Sequence, residues 1–204
     1  MSDAEIIALP PALQLQARAR LAIGDVPVLT NSPGKVRDRI VALDVQAANR
    51  HELCLWQARF DLTHCFASDA AWKTRLGENG IPVSNEDGVI HDTSVGVGFH
   101  DGVTLSGLLE EAEGSNNYLG ELGALVVALQ ALPDGARVLG VVDATSPVHA
   151  WLRFCRVHNR WKMSYYASAL LDELDRQVDR CEVAVFLWQT SHVGSPTNEW
   201  SRVV

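Results

Sequence analysis

The stretch that most constrains the fold runs over residues 116–142. Its first part, NNYLGELGALVVALQAL, places Leu119, Leu122, Val126, Leu129 and Leu132 on one helical face, and Pro133-Asp134-Gly135 stops the helix. RVLGVV (137–142) follows, with no polar residue after Arg137. A strand that is apolar on both sides has to be covered on both sides, which is the position of an inner strand in a layered α/β domain.

The flanking sequence fits such a domain. LTHCFAS (62–68) reads as a strand ending at Asp69, and a loop over roughly 73–92 separates it from SVGVGF (94–99). His100-Asp101-Gly102 signals a hairpin into VTLSGLLEE (103–111). Helices are expected over 146–158 and 163–180, a last strand over CEVAVFLW (181–188), and a final helix from near Pro196. The expected fold is therefore α/β: a mixed five-stranded sheet flanked by helices on both faces. An antiparallel three-strand meander joins two later strands, which helical crossovers make parallel.

Residues 1–60 have a different texture. ALQLQARARLAI follows Pro10 and Pro11, and after Pro33-Gly34 the residues Val36, Ile40, Leu43 and Ala47 recur at three- and four-residue steps. This predicts an N-terminal helical extension (1–60) packed against the domain formed by 61–204.

Composition narrows the class further. The chain has 204 residues, 47% of them hydrophobic, which suffices for an ordinary core without disulfides or metal staples. Cys54, Cys65, Cys155 and Cys181 form no C-x-x-C pair and read as buried reduced thiols. No apolar run approaches the roughly 20 residues needed to cross a bilayer, and no Lys or Arg precedes Arg18, unlike a signal peptide. An intracellular location with no membrane partner is expected.

The net charge of −8 argues against phosphate binding by the chain as a whole. However, WLRFCRVHNRWK (151–162) holds four of the 17 basic residues, Arg153, Arg156, Arg160 and Lys162, and none of the 25 acidic ones. It reads either as a grip for nucleic acid or as a solvated helix face with buried tryptophans.

Polar groups at the ends of apolar elements are held rigidly yet exposed. Asp69 follows the first strand, Glu121 lies in the first turns of an apolar helix, Asp143 ends RVLGVV, and His192 sits in the loop after the last strand. Three acids at neighbouring strand mouths repel one another without a cation, and their oxygens suit a hard divalent ion, magnesium first.

The segments FASDAAW (66–72), NNYLGELGALVVALQAL, VVDATSPVHAWL (141–152) and WQTSHVGSPTNEW (188–200) together resemble the ribonuclease H domain, particularly that of retroelement polymerases. The resemblance covers about residues 62–204, and its most specific part is His-x-Gly-x-Pro-x-Asn-Glu, with Glu199 seven residues after His192. It implies an endonuclease that cuts the RNA strand of RNA–DNA hybrids with two Mg2+ ions, for which Mn2+ can substitute. Asp69, Glu121 and Asp143 match the family's metal-binding acids, and His192 its mobile histidine. Asn116 and Asn117 match positions that contact the hybrid's minor groove, and the basic segment stands where some members carry a basic handle. A reverse transcriptase or polyprotein is the implied partner.

The sequence departs from the pattern where the family carries a fourth acid. That position is Arg202, and with the chain ending at Val204 the last helix is expected to be incomplete. A guanidinium there repels a second ion, which keeps a different reading open: a catalytically impaired module that binds nucleic acid or a polymerase partner. For the first acid, Asp69 is preferred to Asp92, since it leaves SVGVGF free to be the second strand; Asp61 is a third choice. His91 and His100 lack the spacing of a zinc site and read as loop histidines.

Overall fold

The computed structural model describes residues 3–11, 13–14, 17–18, 39–46, 50–86, 88–99, 101, 103–109, 117–156 and 165–189. After a short helix α1 (Asp3–Ile7), the elements in chain order are β1 (Arg39–Gln46), α2 (Arg50–Phe60), β2 (His64–Thr74), β3 (Ser84–Asn85), β4 (Gly88–Val89), β5 (His91–Phe99) and β6 (Thr104–Leu109). They continue with α3 (Asn117–Gln130), β7 (Arg137–Val142), α4 (Ser146–Arg156), α5 (Tyr165–Arg180) and β8 (Val183–Trp188). No helix among the described residues is long and apolar enough to cross a membrane.

The five strands expected after residue 60 form a mixed sheet, joined at one edge by a sixth, in the order β1-β8-β7-β2-β5-β6. β2, β5 and β6 make the antiparallel meander. β7 lies parallel to β2, and β8 parallel to β7. The chain enters β7 through α3 and β8 through α4 and α5, the helical connections that parallel pairing needs.

Strict alternation along the inner strands divides the core into two layers. Phe66, Val138, Val142, Ala184 and Phe186 face α3, α4 and α5, packing with Leu122, Leu125, Leu129, Trp151, Leu171 and Leu174. Cys65, Ala67, Leu139, Val141, Val183, Val185 and Leu187 point to the other side, where Trp56 and Phe60 of α2 cover them. Gly140 occurs mid-strand because there is no room for a side chain: a Cβ would stand 2.8 Å from Phe66 and 2.9 Å from Phe186. α3 ends at Gln130, and Gly135, with a φ of 76°, turns the chain into β7.

Residues 39–46 correct the expectation of a helical extension. They form β1, paired in parallel with β8 from Arg39↔Ala184 to Gln46↔Trp188, with an irregularity between Ala42 and Gln46. The spacing of Ile40 and Leu43 suits a helix, but the β-branched run also suits a strand, and the open backbone edge of apolar β8 decides between them. Together with α2 on the second face, this segment is part of the sheet domain rather than an appendage. β2 also runs past its expected end at Ser68 as far as Thr74, and the loop expected over 73–92 contains the β3–β4 hairpin.

The thiols divide. Cys65 and Cys181 are buried as expected, and burial, followed by the nearby Cys54, pushes the Cys65 thiol up to about 12. Cys54 is exposed, contrary to expectation, and the side chain of Cys155 lies outside the described residues.

Candidate metal centre

The site is set by strand register. The β2–β7 parallel pairing ends at Ser68↔Val142, so one step further along both chains Asp69 and Asp143 leave the ladder side by side. Asp69 itself continues in β2, opposite Gly96 of β5. At β8 the exit is pinned twice: Gln189 N–H donates to Val142 O at 2.8 Å, and Trp188 Nε1–H donates to Asp143 O at 2.9 Å.

Glu121 arrives from the helix layer. α3 crosses β2 and β5 so closely at Gly120 that a Cβ there would stand 2.5 Å from Thr93 Cγ2 and 2.8 Å from Ala70 Cβ. Only glycine allows this approach, and it brings the next residue down to the strand. Glu121 is 5% exposed, accepting from Ala70 N–H at 3.3 Å and from Asn117 Nδ2 at 3.5 Å. Asn117 is one helical turn before it, on the same face.

One carboxylate oxygen from each of Asp69, Glu121 and Asp143 lies within 4.8 Å of the other two, and this is the only such cluster among the described residues. Burial, then Asp143, then Asp69 push the Glu121 carboxyl up to about 9, against the smaller downward pull of its two hydrogen bonds. Without a cation the chain therefore holds a proton here at neutral pH. Oxygens on one octahedral magnesium stand about 3–4 Å apart at bonds of about 2.1 Å, so side-chain movement of under about 1 Å closes this set around an ion. The donor set, all carboxylate oxygen, is of the kind that suits hard divalent cations.

The structure thus brings together the three acids expected from the sequence. Asp92 lies elsewhere, opposite Lys73 near the far end of the β2–β5 pair, where Arg75 Nε binds it at 3.0 and 3.2 Å and holds its carboxyl below the usual range. Asp61 sits at the opposite end of β2 as the left-handed residue closing α2, with a φ of 53°. His91 is not a free loop histidine: it lies in β5 and stacks on Trp72.

Asn117 opens α3, while Asn116, His192, Glu199, Arg202, His100, Arg160 and Lys162, and the helix expected from Pro196, lie outside the described residues. Arg153 and Arg156 fall on α4. Trp151, at the head of the basic segment, is fully buried, with its edge against Phe186 and its Nε1–H on Asp175 Oδ1 at 3.2 Å. It belongs to the core and not to a nucleic-acid surface.

Sequence reasoning missed Gly120, the Ala70 N–H and Trp188. Of these only Gly120 left a signal, as a helix-interior glycine beside an acid. Compared with protein-family models, the chain finds no match; compared with curated proteins, it finds none either.

Proposed function

We propose that the chain is a divalent-metal-dependent endonuclease of the ribonuclease H type, hydrolysing the RNA strand of RNA–DNA hybrids. The observation that carries this reading is the convergence of Asp69, Glu121 and Asp143 from a strand, a helix and a strand end, with oxygens within 4.8 Å. Supporting it are the order of strands and helices and the segments that resemble that family.

Bound magnesium would supply positive charge for the scissile phosphate and a more acidic water. The residues of this chain do the placing. Asp69 and Asp143 are fixed by the sheet, and Trp188 and Gln189 hold the backbone beneath Asp143. Ala70 and Asn117 aim one Glu121 oxygen, and the carboxyl gives up its proton when a cation arrives. His192, which the family resemblance alone assigns, would assist water entry or product release.

A second reading, a catalytically impaired module that binds nucleic acid, is favoured by Arg202 in place of a fourth acid. One assay separates them. With magnesium and a labelled hybrid, the wild type cuts the RNA strand and Asp143→Asn does not. Equal cutting by both removes this site; cutting by neither, restored by Arg202→Asp, establishes the impaired module.

A further inference from the structure

Beyond Asp69, β2 runs past the end of β7 and, among the described strands, pairs with β5 alone. Three residues along this stretch stands Trp72, 47% exposed. A half-exposed tryptophan is a large apolar surface left in water, and here the ring is also held in place. His91 stacks against it, with centroids 3.9 Å apart and planes at 24°, and Thr74 Oγ1 lies 3.4 Å from His91 Nδ1. A ring fixed in this way loses little rotamer freedom when something else stacks on it.

The location relates the ring to the carboxylates. Residues 70 and 72 share one face of β2, and the Cβ of Ala70 is what Gly120 of α3 approaches. Trp72 therefore lies on the α3 face of β2, two residues from the Ala70 whose N–H Glu121 reaches. It lies about 10 Å along the strand from Asp69, roughly three base steps at about 3.4 Å each. The neighbouring sequence AAWKTRL (70–76) has Lys73 and Arg75 and no acid, although Asp92 engages Arg75.

We infer that Trp72, backed by His91, is a stacking platform for an unpaired nucleobase of a nucleic-acid strand held at the carboxylate cluster. It selects substrates with a single-stranded tail next to the duplex. The inference rests on the nuclease reading for its orientation, and it adds a determinant of substrate choice. Stacking is indifferent to base identity because every base has a π face, so the preference is for unpaired structure and not for sequence.

The test uses a fluorescein-labelled oligothymidine followed by anisotropy, together with competition between blunt and tailed RNA–DNA hybrids in magnesium. The platform predicts that the wild type binds oligothymidine, Trp72→Ala binds about tenfold more weakly, and Trp72→Phe stays within about twofold. In competition the tailed hybrid is cut first by the wild type, and that advantage disappears in Trp72→Ala. Equal binding by wild type and Trp72→Ala, or no binding by the wild type, overturns the platform. The two readings fail separately: Trp72-dependent binding with no cutting rejects the nuclease and keeps the platform, and cutting without dependence on Trp72 does the reverse.

Discussion

The backbone N–H of Ala70 donates to Glu121 Oε1 across 3.3 Å, tying a helix carboxylate to the strand that carries Asp69. This bond explains how a buried acid can face two others. It compensates one oxygen only in part, so the remaining repulsion and desolvation keep the carboxyl protonated until a cation offsets them.

A dependence of stability on pH follows. Unfolded, Glu121 ionises near the ordinary 4.5; folded, near about 9. Between these values the folded chain holds a proton that the unfolded chain has lost, so its contribution is complete below 4.5 and declines as pH rises towards 9. In EDTA the melting temperature of the wild type should fall over this interval, and that of Glu121→Gln should fall less. Magnesium should raise the first at pH 8 and leave the second unchanged. Parallel melting curves for the two proteins would contradict the assignment.

The acid limb draws on Glu173 as well as Asp92. Arg176, Gln177 and Gln130 hold the Glu173 carboxyl at about 2, well below its ordinary value. Its contribution is present above about 4.5 and is lost as pH falls through 2. Glu173→Gln should flatten the acid side of the melting profile and leave the alkaline side as it was.

Gly120→Ala places a methyl where Thr93 Cγ2 would be 2.5 Å away. Overpacking of this kind costs about 1–3 kcal/mol. Because the helix must rise from the strand to make room, affinity for manganese should fall as well. Denaturant melts and a manganese titration measure the two effects. Unchanged metal affinity would show that the close approach does not position Glu121.

Asp92→Asn removes the partner of Arg75 but leaves the cluster intact. A half-buried pair of this kind, still open to solvent, contributes about 1 kcal/mol, so a small loss of stability with unchanged manganese affinity is expected. A large loss of affinity would instead make Asp92 a ligand.

Trp151→Ala empties a fully buried site against Phe186 and should cost about 3–5 kcal/mol in a urea melt. A cost under about 1 kcal/mol would mean that this ring is on the surface, where a nucleic-acid grip needs it.

The inner layer was legible because its residues have one solution. RVLGVV is apolar on both faces, and the strand covers those same six residues, 137–142. Leu119, Leu122, Val126 and Leu129, the face expected of α3, are likewise buried. Asp143 was legible because it ends RVLGVV, and Asp69 and Glu121 as acids in otherwise apolar surroundings, although Asp69 lies inside β2 and not at its end. What stayed hidden depends on distant partners. β1 is a strand because β8 offers an edge more than 130 residues later in the chain. β2 extends to Thr74 through pairing with β5, although Asp69, Lys73 and Thr74 have no apolar signature. Trp188 reaches Asp143 across 45 residues, and Arg75 reaches Asp92 across a hairpin that composition renders as a loop.

The most direct measurement is a crystal of the full chain soaked in manganese, with anomalous scattering locating the ions. A peak is expected within about 2.5 Å of oxygens from Asp69, Glu121 and Asp143 together, absent in Asp143→Asn. A fully soaked crystal with no peak there, or with its only peaks on other acids, would contradict it.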